Sequence, residues 1–220
     1  MVPNSKATRL VSLGVILAAA GLIYLLNHET PPAFEAQPHT ASGAVMAELA
    51  LGLLPSGGRL IVIKRDAKTF ANPASGAQFA AFQQAVTHAG VTIAAVQEIH
   101  VDPLRAVAVA PGDFFEMLRK APEGSVIVSF MGPPTLSDEQ RAKLGPPRAK
   151  VVAFCAASSP APAELRAIFD QQLLAAAVIS RHDAPAPAPG AGPKSNQEWF
   201  NQSFVTVTPA NLNSLTATTP

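Results

Sequence analysis

Cysteine is nearly absent from this chain: Cys155 is the only one in 220 residues. That excludes an intramolecular disulfide framework and any multi-cysteine zinc or iron–sulfur site. Charge is scarce as well. Only 14% of residues are charged, and 16 Lys and Arg face 15 Asp and Glu, a net charge of +1. Such a balance offers no electrostatic footprint for nucleic acid. The glycine-rich phosphate motifs G-x-G-x-x-G and G-x-x-x-x-G-K-[ST] are missing, so no nucleotide cofactor is expected. The five His residues show no H-x-x-x-H spacing and no adjoining carboxylate cluster, so no metal is expected. Disorder throughout is excluded from the other side, because 48% of residues are hydrophobic and the net charge is small.

What the chain has in quantity is alanine (41 residues), proline (21) and one long apolar run. Residues 10–27 carry no charge, and Arg9 and His28 bracket them. The 17 largely apolar residues 10–26 as a helix are roughly 26 Å long, close to the hydrocarbon thickness of about 30 Å. The run is therefore expected to be a transmembrane anchor. Lys6 and Arg9 precede it, and no Lys or Arg follows before Arg59. The positive-inside rule then puts residues 1–9 in the cytoplasm and the bulk of the chain outside. A cleaved signal peptide is the competing reading of the same pattern. Gly14, Ala18 and Gly21 put small residues along one side of this helix, a surface that permits helix–helix contact with a membrane partner.

Residues 28–42 hold three Pro and no periodicity, which predicts an extended tether. An α/β domain is expected over 43–183. It opens with a helix over 43–54, with Val45, Leu49 and Leu53 on one face. Five short apolar runs then predict strands at 59–64, 91–101, 125–131, 149–155 and 175–180. Ala106–Ala110 is a candidate for a further short edge strand. Helix signals separate the runs. Asn72-Pro73 marks a helix start and Gly90 its end. Asp113 with Glu116, and Ser137 with Gln140, have capping-box spacing. Ser159-Pro160 predicts the start of a helix buried through Leu165, Ile168, Phe169 and Leu173. Strands without polar alternation are covered on both faces, and helices between them make right-handed parallel crossovers. The expected fold is thus an open, doubly wound, mainly parallel five-stranded sheet in the flavodoxin-like order 2-1-3-4-5. Residues 184–194 read as a Pro/Ala/Gly linker. Residues 195–220 form a tail with a short helix and strand, in which Trp199, Phe200 and Phe204 are candidate contacts for a protein partner.

In such a sheet, ligands bind outside the carboxyl ends of the strands, near the switch point. That position selects Arg65, Asp66, Lys68, Gly132, Ser158 and Arg181 as candidate ligand-binding residues. Arg65 and Arg181 offer forked donors to a carboxylate or phosphate. Cys155 and His182 end neighbouring strands, which makes them the candidates for a nucleophile and its base. A small buried hydrophobe is the alternative reading of Cys155.

The runs RLIVIKRD, FAAFQQAVTHAG-VTIAAVQ, SVIVSFMGPP and VVAFCAASS resemble one lobe of a type I periplasmic substrate-binding protein. The resemblance covers roughly residues 59–181 and rests on general pattern. In that family two such lobes close on a small ligand, whereas this chain has one. Three functions follow as expectations. The first is a non-enzymatic binding or scaffold module, anchored in the lipid bilayer and exposed outside the cytoplasm, as part of an envelope or membrane complex. The second is a hydrolase or transferase built on Cys155 and His182. The third is a half-receptor that dimerises around a small ligand.

Overall fold

The computed structural model describes residues 11, 13–19, 34–68, 72–101, 108–146, 148–156, 160–181 and 195–213. Two compact units divide the chain, residues 1–34 and residues 35–220. In the first, residues 13–19 are helical, and Leu13, Val15, Ile16 and Leu17 are exposed. Among the described residues no helix is long and apolar enough to cross a membrane. Residues 10, 12 and 20–27 of the expected anchor, Gly21 among them, lie outside the described residues.

The second unit is a six-stranded sheet, β1 (Leu60–Arg65), β2 (Ile93–Ile99), β3 (Ser125–Ser129), β4 (Ala149–Phe154), β5 (Ala176–Ser180) and β6 (Phe204–Val207). Their order is β2-β1-β3-β4-β5-β6. The first five are parallel and in the expected order. The expectation of five strands is corrected by β6, which adds antiparallel to β5. Its origin is the tail, where Ser195 caps a helix over Asn196–Ser203 by accepting from Glu198 N. The chain then reverses at Phe204 along the one open flank of β5. A short antiparallel strand commonly finishes an otherwise parallel sheet in this way.

Helices cover both faces. We number them α1 (Gln37–Leu53), α2 (Pro73–His88), α3 (Pro111–Lys120), α4 (Asp138–Leu144), α5 (Pro162–Asp170) and α6 (Asn196–Ser203). One core joins α1, α2 and α6 to the side chains of Leu60, Val62, Val126, Val128 and Val152. The other joins α3 and α5 to Ile63, Ile127, Val151, Ala153 and Cys155. Strand parity decides the split, because successive side chains point to opposite faces.

Several expected boundaries shift. Helix α1 begins at Gln37, so the last residues of the expected tether are helical, and His39 is in α1. Its buried face is Ala41, Ser42, Gly43, Val45, Met46, Ala47 and Ala50, while Leu49 and Leu53 are only partly buried. Small residues lie inward because α1 approaches α2 at backbone distance. A Cβ added at Gly43 would sit 2.1 Å from the carbonyl oxygen of Gln78. Helix α3 starts at Pro111 with no side-chain cap. Asp113 is therefore within the first turn, and Glu116 pairs instead with Arg119 and Lys120. Pro at the first helical position, with φ already fixed, explains the earlier start. Helix α5 instead starts later than the expected Ser159-Pro160: Ala161 is its N-cap and Pro162 its first helical residue, again with Pro at the start. Ala108–Ala110 form no strand. The Asn72 cap of α2 and the Ser137/Gln140 capping box of α4 form as the spacing predicts.

Candidate functional site

The carboxyl ends of β1 and β3 meet where the chain changes its direction of travel across the sheet, since β2 lies on one side of β1 and β4 lies beyond β3. The turn after β3 is tightly fixed. The buried Ser129 hydroxyl donates to the carbonyl of Gly132 (2.7 Å) and accepts from Met131 N (3.3 Å). Gly132 N donates across to Phe154 O (3.1 Å), and Phe130 N to Ile63 O (2.9 Å). Gly132 has φ 93°, a left-handed conformation open to glycine and strained for other residues.

From this turn a groove of about 610 Å³ runs between the loop after β3 and helix α5. Met131, Pro133, Pro134, Leu136 and Ile168 form its apolar wall, with Arg141 and Glu164 at its polar positions. Arg141 donates to Leu136 O (2.6 Å) and pairs with Asp138. Glu164 accepts from Ala161 N (3.1 Å) at the start of α5. Their first role is thus to hold the walls in place. Both sit near helix starts, and sequence reasoning treats that position as capping, so their place in a groove was not visible beforehand.

Of the candidate ligand-binding residues that are described, only Gly132 lines this groove. Arg65 is half-buried at the end of β1. Asp66 is engaged locally: its Oδ1 accepts from Lys68 N (2.8 Å), its N donates to Ile99 O (2.9 Å), and its Oδ2 is 3.8 Å from His100 Nδ1. Lys68 is exposed. Arg181 is exposed and ties β5 to the tail, its N donating to Ser203 O (2.9 Å). Ser158 and His182 lie outside the described residues.

Cys155 is not placed to react. It is 1% exposed, within the core shared with Leu165 and Phe169. Its backbone N donates to Val178 O (2.7 Å), and its Sγ lies 3.9 Å from Ala153 O. Burial pushes the thiol pKa up to about 12. A nucleophilic cysteine must be a thiolate in a polar, accessible setting; this one is a protonated core side chain. The tail aromatics are likewise turned inward. Phe200 and Phe204 are buried against Phe154 and one another, and Trp199 packs at the margin of the same core. Phe200 and Phe204 are therefore part of the chain's own core.

No protein-family model matches the chain, and no curated protein matches it in sequence. Solved structures do resemble it. An arabinose binding protein from Geobacillus stearothermophilus superposes with a TM-score of 0.52 at 15% identity, covering 80% of this chain and 62% of that one. The fold is that of one lobe of a type I periplasmic sugar-binding protein. A myo-inositol binding protein from Caulobacter gives 0.48 at 18% identity, over 80% and 60% of the two chains. The periplasmic component of a sugar transport system from Hahella chejuensis gives 0.44 at 16%, over 64% and 49%. The chain spans about half to three-fifths of the length of these binding proteins.

Proposed function

We propose that this protein is a non-enzymatic binding module, held at a membrane by residues 10–27, with its α/β unit outside the cytoplasm. The observation that carries the reading is the groove at the carboxyl ends of the strands. It is preformed, mostly apolar and set with a few polar groups, as small-molecule sites generally are. The fold shared with an arabinose binding protein supports a small polyhydroxylated ligand, with Gly132 at the floor and Arg141 and Glu164 as polar partners. Arg65, Lys68 and Arg181 end other strands of the same sheet and are cations of the carboxyl-end face, outside the groove lining. The burial of Cys155 removes the thiol on which a hydrolase or transferase reading depends. The anchor is supported by the uncharged run itself and by Lys6 and Arg9 ahead of it.

Calorimetry of the full chain in mild detergent against a panel of pentoses, hexoses and inositols tests the ligand. Heat with at least one sugar is expected, and Ala167→Trp, which fills the groove from the exposed side of α5, should abolish it. No heat across the panel overturns the ligand class. Retention of the chain in the membrane pellet after an alkaline carbonate wash is the expected result for the anchor; release into the supernatant overturns it.

A further inference from the structure

The sheet has two edges, and they are finished differently. At the β6 edge the side chain of Asn211 folds back over the strand: Nδ2 donates to Thr206 O (2.9 Å), and Oδ1 accepts from Thr208 N (2.7 Å). Two of the outward backbone groups there, Thr206 O and Thr208 N, are thus occupied. At the β2 edge nothing comparable is present among the described residues. β2 ends the sheet order, and Ala94 through Glu98 are exposed.

Which backbone groups of β2 point outward follows from its pairing. Ile99 O accepts from Asp66 N (2.9 Å), so Ile99 is directed at β1. Along a strand the N–H and C=O of one residue face the same side, and the side alternates. Ala95 and Gln97 therefore also face β1, and Val96 and Glu98 present their N–H and C=O outward. Ala94 is the extra residue at a register shift, since Leu60 pairs with Ile93 and Ile61 with Ala95. Beyond that bulge the edge is regular.

Natural edge strands are normally protected by Lys, Pro or inward-pointing charge. β2 has no Pro, Lys or Arg. Its one charge, Glu98, is held by Lys64 Nζ of the same chain at 2.6 Å. Val96, 43% exposed, is the only large hydrophobic residue found exposed among the described residues of 35–220. An outward main-chain ladder thus coincides with the one large apolar side chain exposed among the described residues of the unit.

We propose that this edge is the docking site for a second copy of the chain. Two β2 strands pair antiparallel about a two-fold axis at Val96, joining two six-stranded sheets. That register places the regular outward residue Val96 on the axis, with Glu98 across from the bulge. Val96 exchanges both hydrogen bonds with Val96 of the second copy, Glu98 faces the Ala94 position, and the two Glu98 carboxylates are kept apart. Like charges directly opposite would be destabilising, and a Val–Val pair is favourable. A two-fold interface must be self-complementary, and an uncharged centre flanked by Ala on one side and a neutralised Glu on the other meets that demand. The strand-end groove is formed by other elements and is not part of this contact, so the proposal stands whether or not a sugar binds there.

The test is sedimentation velocity of the full chain in mild detergent, wild type beside Val96→Lys. The new side chain would project into solvent from an already exposed position, so the fold is preserved; an unchanged Tm checks this. The wild type is expected to be a dimer, and Val96→Lys should weaken the dimer at least about tenfold, or 1.4 kcal/mol. A second measurement uses Val96→Cys, whose paired Cα atoms would lie about 5.5 Å apart in a hydrogen-bonded pair, within disulfide reach. Under mild oxidation it should crosslink far faster than Gln83→Cys on the exposed side of α2. A monomeric wild type overturns the proposal. So does a dimer equally strong with Val96→Lys, or crosslinking at position 96 no faster than at position 83.

Discussion

The Gln78 amide donates to the Ser42 hydroxyl at 2.9 Å across the crossing of α2 and α1, with both side chains buried. The Ser42 hydroxyl in turn donates to His39 O at 2.8 Å. The two ends of this relay are unequal. Ser42→Ala strands the buried Gln78 amide and should cost about 1–3 kcal/mol. Gln78→Leu leaves Ser42 its carbonyl partner and should cost less. The double variant Ser42→Ala/Gln78→Leu should be more stable than Ser42→Ala alone. Chemical denaturation of the four proteins measures the coupling, and simple additivity would refute the relay.

Gly43 at the same crossing sets up an opposition of two terms. Gly→Ala within a helix is worth about 1 kcal/mol in favour of folding. Here the new Cβ would meet Gln78 O at 2.1 Å, a backbone atom that cannot step aside, and overpacking costs about 1–3 kcal/mol. The clash wins, so Gly43→Ala should lower Tm. Gly52 in the same helix has nothing within 4 Å of its would-be Cβ. Gly52→Ala should leave Tm unchanged or raise it.

His39 makes stability depend on pH. Its partial burial in α1 lowers its pKa from 6.5. A lowered imidazole pKa means that the unfolded chain binds the proton more readily than the folded one. Stability is therefore full above about pH 6.5 and declines as pH falls through that value toward the lower folded pKa. Tm should drop on acidification across this window, and His39→Gln should flatten the drop. An identical pH profile for the variant would count against His39 as the source.

Cys155 gives a chemical readout of its burial. With the thiol pushed up to about 12, an alkylating reagent at mildly alkaline pH should not label the folded chain, and denaturant should expose one thiol per chain. Rapid labelling of the folded protein would restore a reactive cysteine to consideration.

Much of the unit from 35 to 220 could be read in advance because its signals are local. The Asn72 cap, the Ser137/Gln140 box and the stop at Gly90 each depend on a few consecutive residues and on backbone geometry. The five parallel strands followed from apolar runs separated by helices, because a strand buried on both faces leaves no other pattern. The strand-end location of Gly132 followed from that topology alone. Arg141 and Glu164 escaped notice since nothing local distinguishes a helix-start residue facing a groove from one facing water.

The sequence by itself determined the alternation of elements, the parallel order of five strands and the end of the sheet on which a ligand would sit. These follow from periodicity and from the fixed handedness of crossovers. Tertiary structure alone decided three further matters: that the tail adds to the β5 edge while β2 ends the sheet order among the described residues, that α1 turns its small residues inward, and that Cys155 belongs to the core. Each depends on which surface remains uncovered once the other elements have packed, a property of chain segments distant in sequence. The cysteine scarce enough to stand out at first sight is thus explained by depth: strand parity continues from Val151 and Ala153 to Cys155, and carries the thiol out of water.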